Sequence, residues 1–260
     1  MFFLLLLNKA YYDAETKSTR WESMWQNEEK NGESKPKFDC NRTGTFCFCV
    51  CFDLINRGIV SLSLSLSANT TTTTEPALVH FLAKNTTFVP ELQKTKSARV
   101  LVPGCGRGYA LETFSSTFFD SENIVGLEVS ETARNACEAY QSENKSKAKC
   151  VVEDFFTHGV KNDDDKKYDV IYDCTFLCAI QPTQRHMWAE QMQNLTKKGS
   201  RVISLVFPLG DFKGGPPFVL SPELVKSLLQ NDFDVEELIQ VPEDMWARGR
   251  PEYLYVFIRK

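Results

Sequence analysis

The sequence lacks a membrane span. No run reaches the roughly 18 apolar residues that crossing a bilayer requires, and the nearest, "FCFCVCFDLI" at 46–55, is broken by Asp53. It also lacks the features of a secretory leader. The apolar run Phe2–Leu7 has no basic residue before it, falls short of the roughly 7–15 residues of a signal core, and meets no small-residue cleavage site. Positive charge is short: the formal net charge is -4, and no basic stripe with interleaved aromatics occurs, which argues against a nucleic-acid partner. Histidine is scarce, with His80, His158 and His186 dispersed along the chain. The nine cysteines are an odd number in a chain too long to need staples, and Cys47, Cys49 and Cys51 alternate without a C-x2-C knuckle. The expectations are no disulfide framework, no bound metal and a reducing, cytoplasmic setting.

What is present is enough for one core: 260 residues with 42% hydrophobic content. Three regions differ in pattern. Residues 1–39 contain "AETKSTRWESMWQNEEKNG", which predicts a helix ending near Gly32, with Trp21 and Trp25 on one face at i and i+4. Residues 40–74 combine a Cys/Phe alternation, a Ser/Leu alternation and five threonines; this low complexity, without turn chemistry, predicts a poorly ordered insertion. Residues 75–260 alternate apolar strands with amphipathic helices, from "ARVLVP" through "NIVGLEVS", "AKCVVED", "YDVIYD" and "SRVISLVFP". Ser221 and Pro222 read as N-cap and first residue of a helix. "FDVEELIQV" and "YLYVFIRK" follow with no helix between them, which predicts a final antiparallel hairpin. The expected fold is α/β: a mostly parallel seven-stranded sheet with helices on both faces.

In such a sheet, ligands bind beyond the carboxyl ends of the strands. "RVLVPGCGRGY" at 99–109 ends a strand there, with Gly104, Gly106 and Gly108 at alternate positions around Cys105 and Arg107. Glu128 ends the next strand roughly 20 residues on, where a carboxylate can accept from ribose hydroxyls. The pair points to an adenosine-containing cofactor, although a structural turn explains the glycines alone. A dinucleotide fingerprint needs G-x-G-x-x-G. The tighter G-C-G-R-G disfavours a nicotinamide oxidoreductase and fits S-adenosylmethionine better. Past the third strand, Asp154 and Phe155 offer an acceptor for an exocyclic amine and a ring for adenine; a surface loop is the other reading.

"VLVPGCGRGY", "VGLEVSETA", "VEDFF", "YDVIYDCTFLCAIQP", "RHMWAEQMQNLTKKGSRVI" and "GGPPF", with "RWESMWQ" upstream, together resemble the thiopurine S-methyltransferase superfamily. The likeness runs over residues 20–39 and 75–260 and is nearest to the halide/thiol methyltransferase branch. It implies a Rossmann-like class I S-adenosylmethionine-dependent methyltransferase acting on a halide, thiocyanate, bisulfide or small thiol; an aromatic thiol is the alternative acceptor, and a monomer is the default expectation. It further implies cofactor contacts at Trp21, Trp25, Gly104, Glu128, Asp154, Phe155 and Cys174. Three departures stand out. "PKFD" replaces the family's "PWD", so that Phe38 takes the tryptophan's place; Cys174 stands where plant relatives carry tyrosine; and residues 40–74, with the composition of a retained intron, interrupt the family's pattern.

The chemistry suits these residues. Methyl transfer from a sulfonium is an in-line displacement with a neutral leaving group, and a soft anion needs no general base. Catalysis can then rest on positioning and desolvation. Indole faces such as those of Trp21 and Trp25 attract a sulfonium by ~0.5–2 kcal/mol, which makes the N-terminal helix a lid. Arg185 either guides an anionic substrate or lies on a solvated helix face. Asp173 either orients a thiol or caps a backbone. Cys178 has no histidine in a recognisable relation to it and reads as buried and structural. If the insertion displaces the lid, a fold that binds the cofactor without turnover is the remaining alternative.

Overall fold

The computed structural model describes residues 12–13, 18–19, 22, 26, 75–84, 97–117, 119–159, 164–246 and 249–260. Trp21, Trp25 and Phe38, and the segment 40–74 expected as an insertion, lie outside the described residues.

Two short strands, β1 (Tyr12–Asp13) and β2 (Ser18–Thr19), pair antiparallel as a separate ribbon. Helix α1 (Pro76–Lys84) leads into a seven-stranded sheet. Its elements run β3 (Val100–Pro103), α2 (Tyr109–Ser115), β4 (Ile124–Glu128), α3 (Glu131–Glu143), β5 (Lys149–Val152), β6 (Tyr168–Cys174), α4 (Arg185–Leu195), β7 (Thr196–Val206), α5 (Pro222–Leu229), β8 (Phe233–Gln240) and β9 (Tyr253–Arg259). The spatial order is β5-β4-β3-β6-β7-β9-β8. The five strands from β5 to β7 are parallel, and β9 inserts antiparallel between β7 and β8. The last two strands thus form the expected hairpin, with the final strand innermost.

The central strands are apolar on both faces because helices cover both. Val100, Val102, Tyr172, Ile203, Leu205, Leu254 and Val256 face one core with Leu78 and Phe81 of α1, Leu111 and Phe114 of α2, and Cys137 of α3. Their neighbours Leu101, Ile171, Val202, Val206, Tyr255 and Phe257 face the other, against Trp188, Met192 and Leu195 of α4 and Val225 and Leu229 of α5. A strand with period-two side chains therefore feeds two cores at once.

Helix ends follow local chemistry. Ser130 caps α3 by accepting from the Ala133 N–H, and Ser221 caps α5 by accepting from Leu224, with Pro222 in the first turn. α2 starts from Gly108, whose φ of 79° is left-handed, a conformation that costs a side-chain-bearing residue about 1–2 kcal/mol. A Cβ there would also lie 2.4 Å from the Cys137 sulfur, so nothing larger than glycine fits between loop and helix. Among the described residues no helix is long and apolar enough to cross a membrane.

Candidate functional site

The strand order reverses direction at β3, with β4 on one side and β6 on the other. A crevice opens at such a switch point, beyond the carboxyl ends of the strands, and the glycine loop sits there. Gly104 and Gly106 also have positive φ, 58° and 53°. The loop is anchored beneath by the Cys105 N–H on the Leu127 carbonyl (3.0 Å) and closed by the Gly108 N–H on the Cys105 carbonyl (2.8 Å).

Glu128, at the end of β4, is 7% exposed. Its Oε2 accepts from the Gly106 N–H (3.1 Å), and its Oε1 from the N–H groups of Val129 (2.9 Å) and Ser130 (3.3 Å). Burial nevertheless lifts its carboxyl from the ordinary 4.5 to about 7, against the pull of those three donors. A carboxylate offers about four acceptor positions. One therefore stays open on Oε2, and a second ligand hydroxyl would have to displace the Gly106 N–H.

Asp154 follows β5. Its Oδ1 accepts from the Phe156 N–H (2.9 Å) and its carbonyl from Thr157 and His158, which folds the strand exit into a turn. Burial raises the Asp154 carboxyl. The Phe155 ring, expected against adenine, is 2% exposed and turns into the second core, edge-on to Phe156 and Phe176. Gln191 on α4 pins that turn by donating to the Phe155 and His158 carbonyls. Phe156 and Phe176 are half-buried instead, their ring centroids 6.5 Å apart, and a Cβ on Gly104 would come within 2.6 Å of Phe176. Nothing in the period of the sequence separated the two phenylalanines of "VEDFF"; the turn at Asp154 decides which one is buried.

At the end of β6, Cys174 is half-buried against the first core. Asp173 beside it is 1% exposed, with both oxygens engaged: Oδ1 takes the Leu177 N–H (3.2 Å) and Oδ2 the indole N–H of the fully buried Trp188 (2.8 Å). Burial pushes its carboxyl up to about 6. Of the two roles open to Asp173, the geometry gives backbone capping. Arg185, at the start of α4, is only 7% exposed, which removes the solvated-face reading. Its guanidinium donates to the Val219 carbonyl (3.1 Å) while Nε has no partner, and burial lowers its affinity for a proton. No carboxylate among the described residues pairs with it. The "GGPPF" loop docks alongside through the Phe218 N–H on the Cys178 carbonyl. Cys178 is buried, its thiol on the Thr175 carbonyl.

Two groupings escaped sequence reasoning. Glu22 is helical, and its carboxylate accepts from the hydroxyls of Ser130 (2.5 Å) and Thr132 (2.6 Å) and from the Thr132 N–H (3.3 Å). Burial would raise its carboxyl, but these bonds and one from Gln26 outweigh it and lower it. Glu22 is thereby pinned to the start of α3, two residues beyond Glu128. Second, Cys105, Cys137 and Cys150 converge behind the glycine loop. Cys150 is held down at about 5 by hydrogen bonds from the Cys105 and Cys137 thiols.

The sheet order, the left-handed glycine loop at its switch point and the buried acid ending β4 define a class I S-adenosylmethionine-dependent methyltransferase. Solved structures agree on the fold. The magnesium protoporphyrin IX methyltransferase of Synechocystis with bound S-adenosylmethionine superimposes with a TM-score of 0.52 at 14% identity, over 71% of this chain and 77% of that one. The thiopurine S-methyltransferase family profile matches residues 76–251. A probable thiol methyltransferase 2 of Arabidopsis thaliana is 35% identical over 61% of this chain and 70% of its own length. Thiocyanate methyltransferase 1 of Brassica oleracea is 37% identical over 50% of this chain and 56% of its own. A thiopurine S-methyltransferase of Photobacterium profundum is 28% identical over 54% and 68%. The chain belongs to the thiopurine S-methyltransferase family.

Proposed function

We propose that this methyltransferase acts on a small soft nucleophile: a halide, thiocyanate, bisulfide or small thiol. The observation that carries this reading is the Arg185 guanidinium, buried at 7% exposure beside the post-β6 loop without a carboxylate. A buried, unpaired cation is costly and persists where an anion completes it. The plant relatives, named as thiol and thiocyanate methyltransferases, support the same acceptor class.

S-adenosylmethionine, when bound, supplies an electrophilic methyl on a sulfonium. Glu128 would hold the ribose, the loop around Gly104 the amino-acid end, and Asp154 the adenine amine, with Cys105, Gly106 and Gly108 shaping the loop, Phe176 and Cys174 contributing walls, and Phe155 backing Phe176 from the core. Trp21, Trp25 and Phe38 complete that proposal from the N-terminal side. Arg185 positions the anion and needs no proton relay, since the attacking atom arrives ionised. Asp173 works at one remove, by fixing the loop through Leu177 and Trp188. A monomer in the reducing cytoplasm fits the free thiols.

The test is methyl transfer by the full chain to iodide, thiocyanate, bisulfide and an aromatic thiol. Turnover on the anions is expected, with Arg185→Met raising KM for thiocyanate by about tenfold or more, the loss of one charge-assisted bond. Turnover confined to the aromatic thiol would overturn it.

A further inference from the structure

Beyond the place of the Cys105 backbone in the glycine loop, the three thiols behind that loop have no part in methyl transfer as described above. Cys105 comes from the loop after β3, Cys137 from α3 and Cys150 from β5. Their sulfurs all lie within 4.8 Å of one another, with Cys105 and Cys150 at 3.3 Å. Cys137 is fully buried and Cys150 nearly so. No other such convergence of histidine, cysteine or acidic side chains occurs among the described residues.

The backbone leaves room for this cluster. A Cβ on Gly126 would meet the Cys105 sulfur at 2.5 Å, and one on Gly108 would meet the Cys137 sulfur at 2.4 Å. Two glycines, one on β4 and one at the start of α2, therefore flank the sulfurs where any side chain would push them apart. Three separate elements converge on one point without a disulfide.

We propose that Cys105, Cys137 and Cys150 form a binding site for a soft, thiophilic d10 cation, with copper(I) as the ion suited to three thiolates. Thiolates at about 2.3 Å from a central ion stand about 4 Å apart in a trigonal plane, inside the span observed here. Zinc prefers four ligands. The nearby carboxylate of Glu128 is engaged by three backbone donors and supplies no fourth. Soft ligands of low coordination number select copper(I) instead. Ligating thiols that are still protonated release their protons to solvent on binding. Occupancy ties together the loop, α3 and β5, the three elements that surround Glu128. The expectation of no metal rested on the absence of a local knuckle, whereas these sulfurs come together from positions up to 45 residues apart.

The experiment is transfer of copper(I) from its coloured bicinchoninate complex to the reduced full chain. Because Cys40, Cys47, Cys49 and Cys51 are also thiols, the same titration is run on a chain with those four changed to Ser. That variant is expected to take up one equivalent and to develop thiolate-to-copper absorption in the near ultraviolet. Adding Cys137→Ser or Cys150→Ser should weaken uptake beyond the roughly 10–100-fold that outer-shell changes cost, with the circular dichroism spectrum unchanged. Failure of the four-Ser variant to take copper from the chelator, or retention of its equivalent after Cys137→Ser and Cys150→Ser, would overturn the site. A double variant Cys137→Ala/Cys150→Ala serves the same comparison if a buried serine hydroxyl impairs folding.

Discussion

Raising the pH from 6 to 8 should tighten the binding of S-adenosylhomocysteine about tenfold, through Glu128. Burial puts this carboxyl at about 7 when the site is empty. A ribose hydroxyl donating to Oε2 needs the ionised form, because three backbone N–H groups already point at the carboxylate. With a midpoint near 7, about a tenth of the protein is ionised at pH 6 and about nine-tenths at pH 8. A ligand that binds only the ionised form follows that ratio, and at pH 6 its binding expels a proton. Stability of the empty protein runs the other way. A folded value above the ordinary 4.5 means that the native state holds a proton the unfolded chain has lost. Glu128 therefore costs nothing below 4.5, and as the pH climbs through 7 its cost grows to about 3 kcal/mol. Isothermal titration at pH 6, 7 and 8, in buffers of differing ionisation heat, reads affinity and proton release together. Glu128→Gln should bind weakly with no pH trend. The reasoning is refuted if wild-type affinity is flat from pH 6 to 8, or if Glu128→Gln keeps the tenfold rise.

Asp173→Asn turns an amide N–H toward either Leu177 N–H or the Trp188 indole, leaving a buried donor unmet at a cost of about 1–3 kcal/mol. A lowered urea midpoint with kcat changed only in proportion to the folded fraction is expected; unchanged stability with lost turnover would mean that Asp173 acts on the acceptor. Glu22→Gln removes the charge behind the contacts to Ser130 and Thr132, worth about 1.5–3 kcal/mol. Limited proteolysis within residues 12–26 should then run at least about tenfold faster while the sheet domain keeps its melting temperature, and an unchanged cleavage rate would contradict the clamp.

Much of the frame was legible because it is written in local periods. The β3–α2 junction needed glycine at 108, the serines at 130 and 221 could cap only what followed them, and the two-faced apolar strands announced helices on both sides. The glycine loop and Glu128 were legible as a pair for the same reason, since a strand–loop–helix–strand unit fixes their separation. Phe155 was a harder case: "DFF" offers two rings, and only the turn closed by Asp154 and Gln191 sends the first inward.

By itself the sequence determined the alternation of strands and helices, their caps, and the position of the loop at a strand's carboxyl end. These depend on backbone propensity and on side-chain spacing along one segment. Only the tertiary structure decided that Asp173 is spent on Trp188, that Arg185 is buried with no carboxylate beside it among the described residues, that Glu22 reaches α3 across 108 residues, and that three scattered cysteines share one space. Each is a contact between segments remote in sequence. Its free energy depends on what each group loses to burial and gains from its partner, and neither quantity exists until the sheet has closed around them.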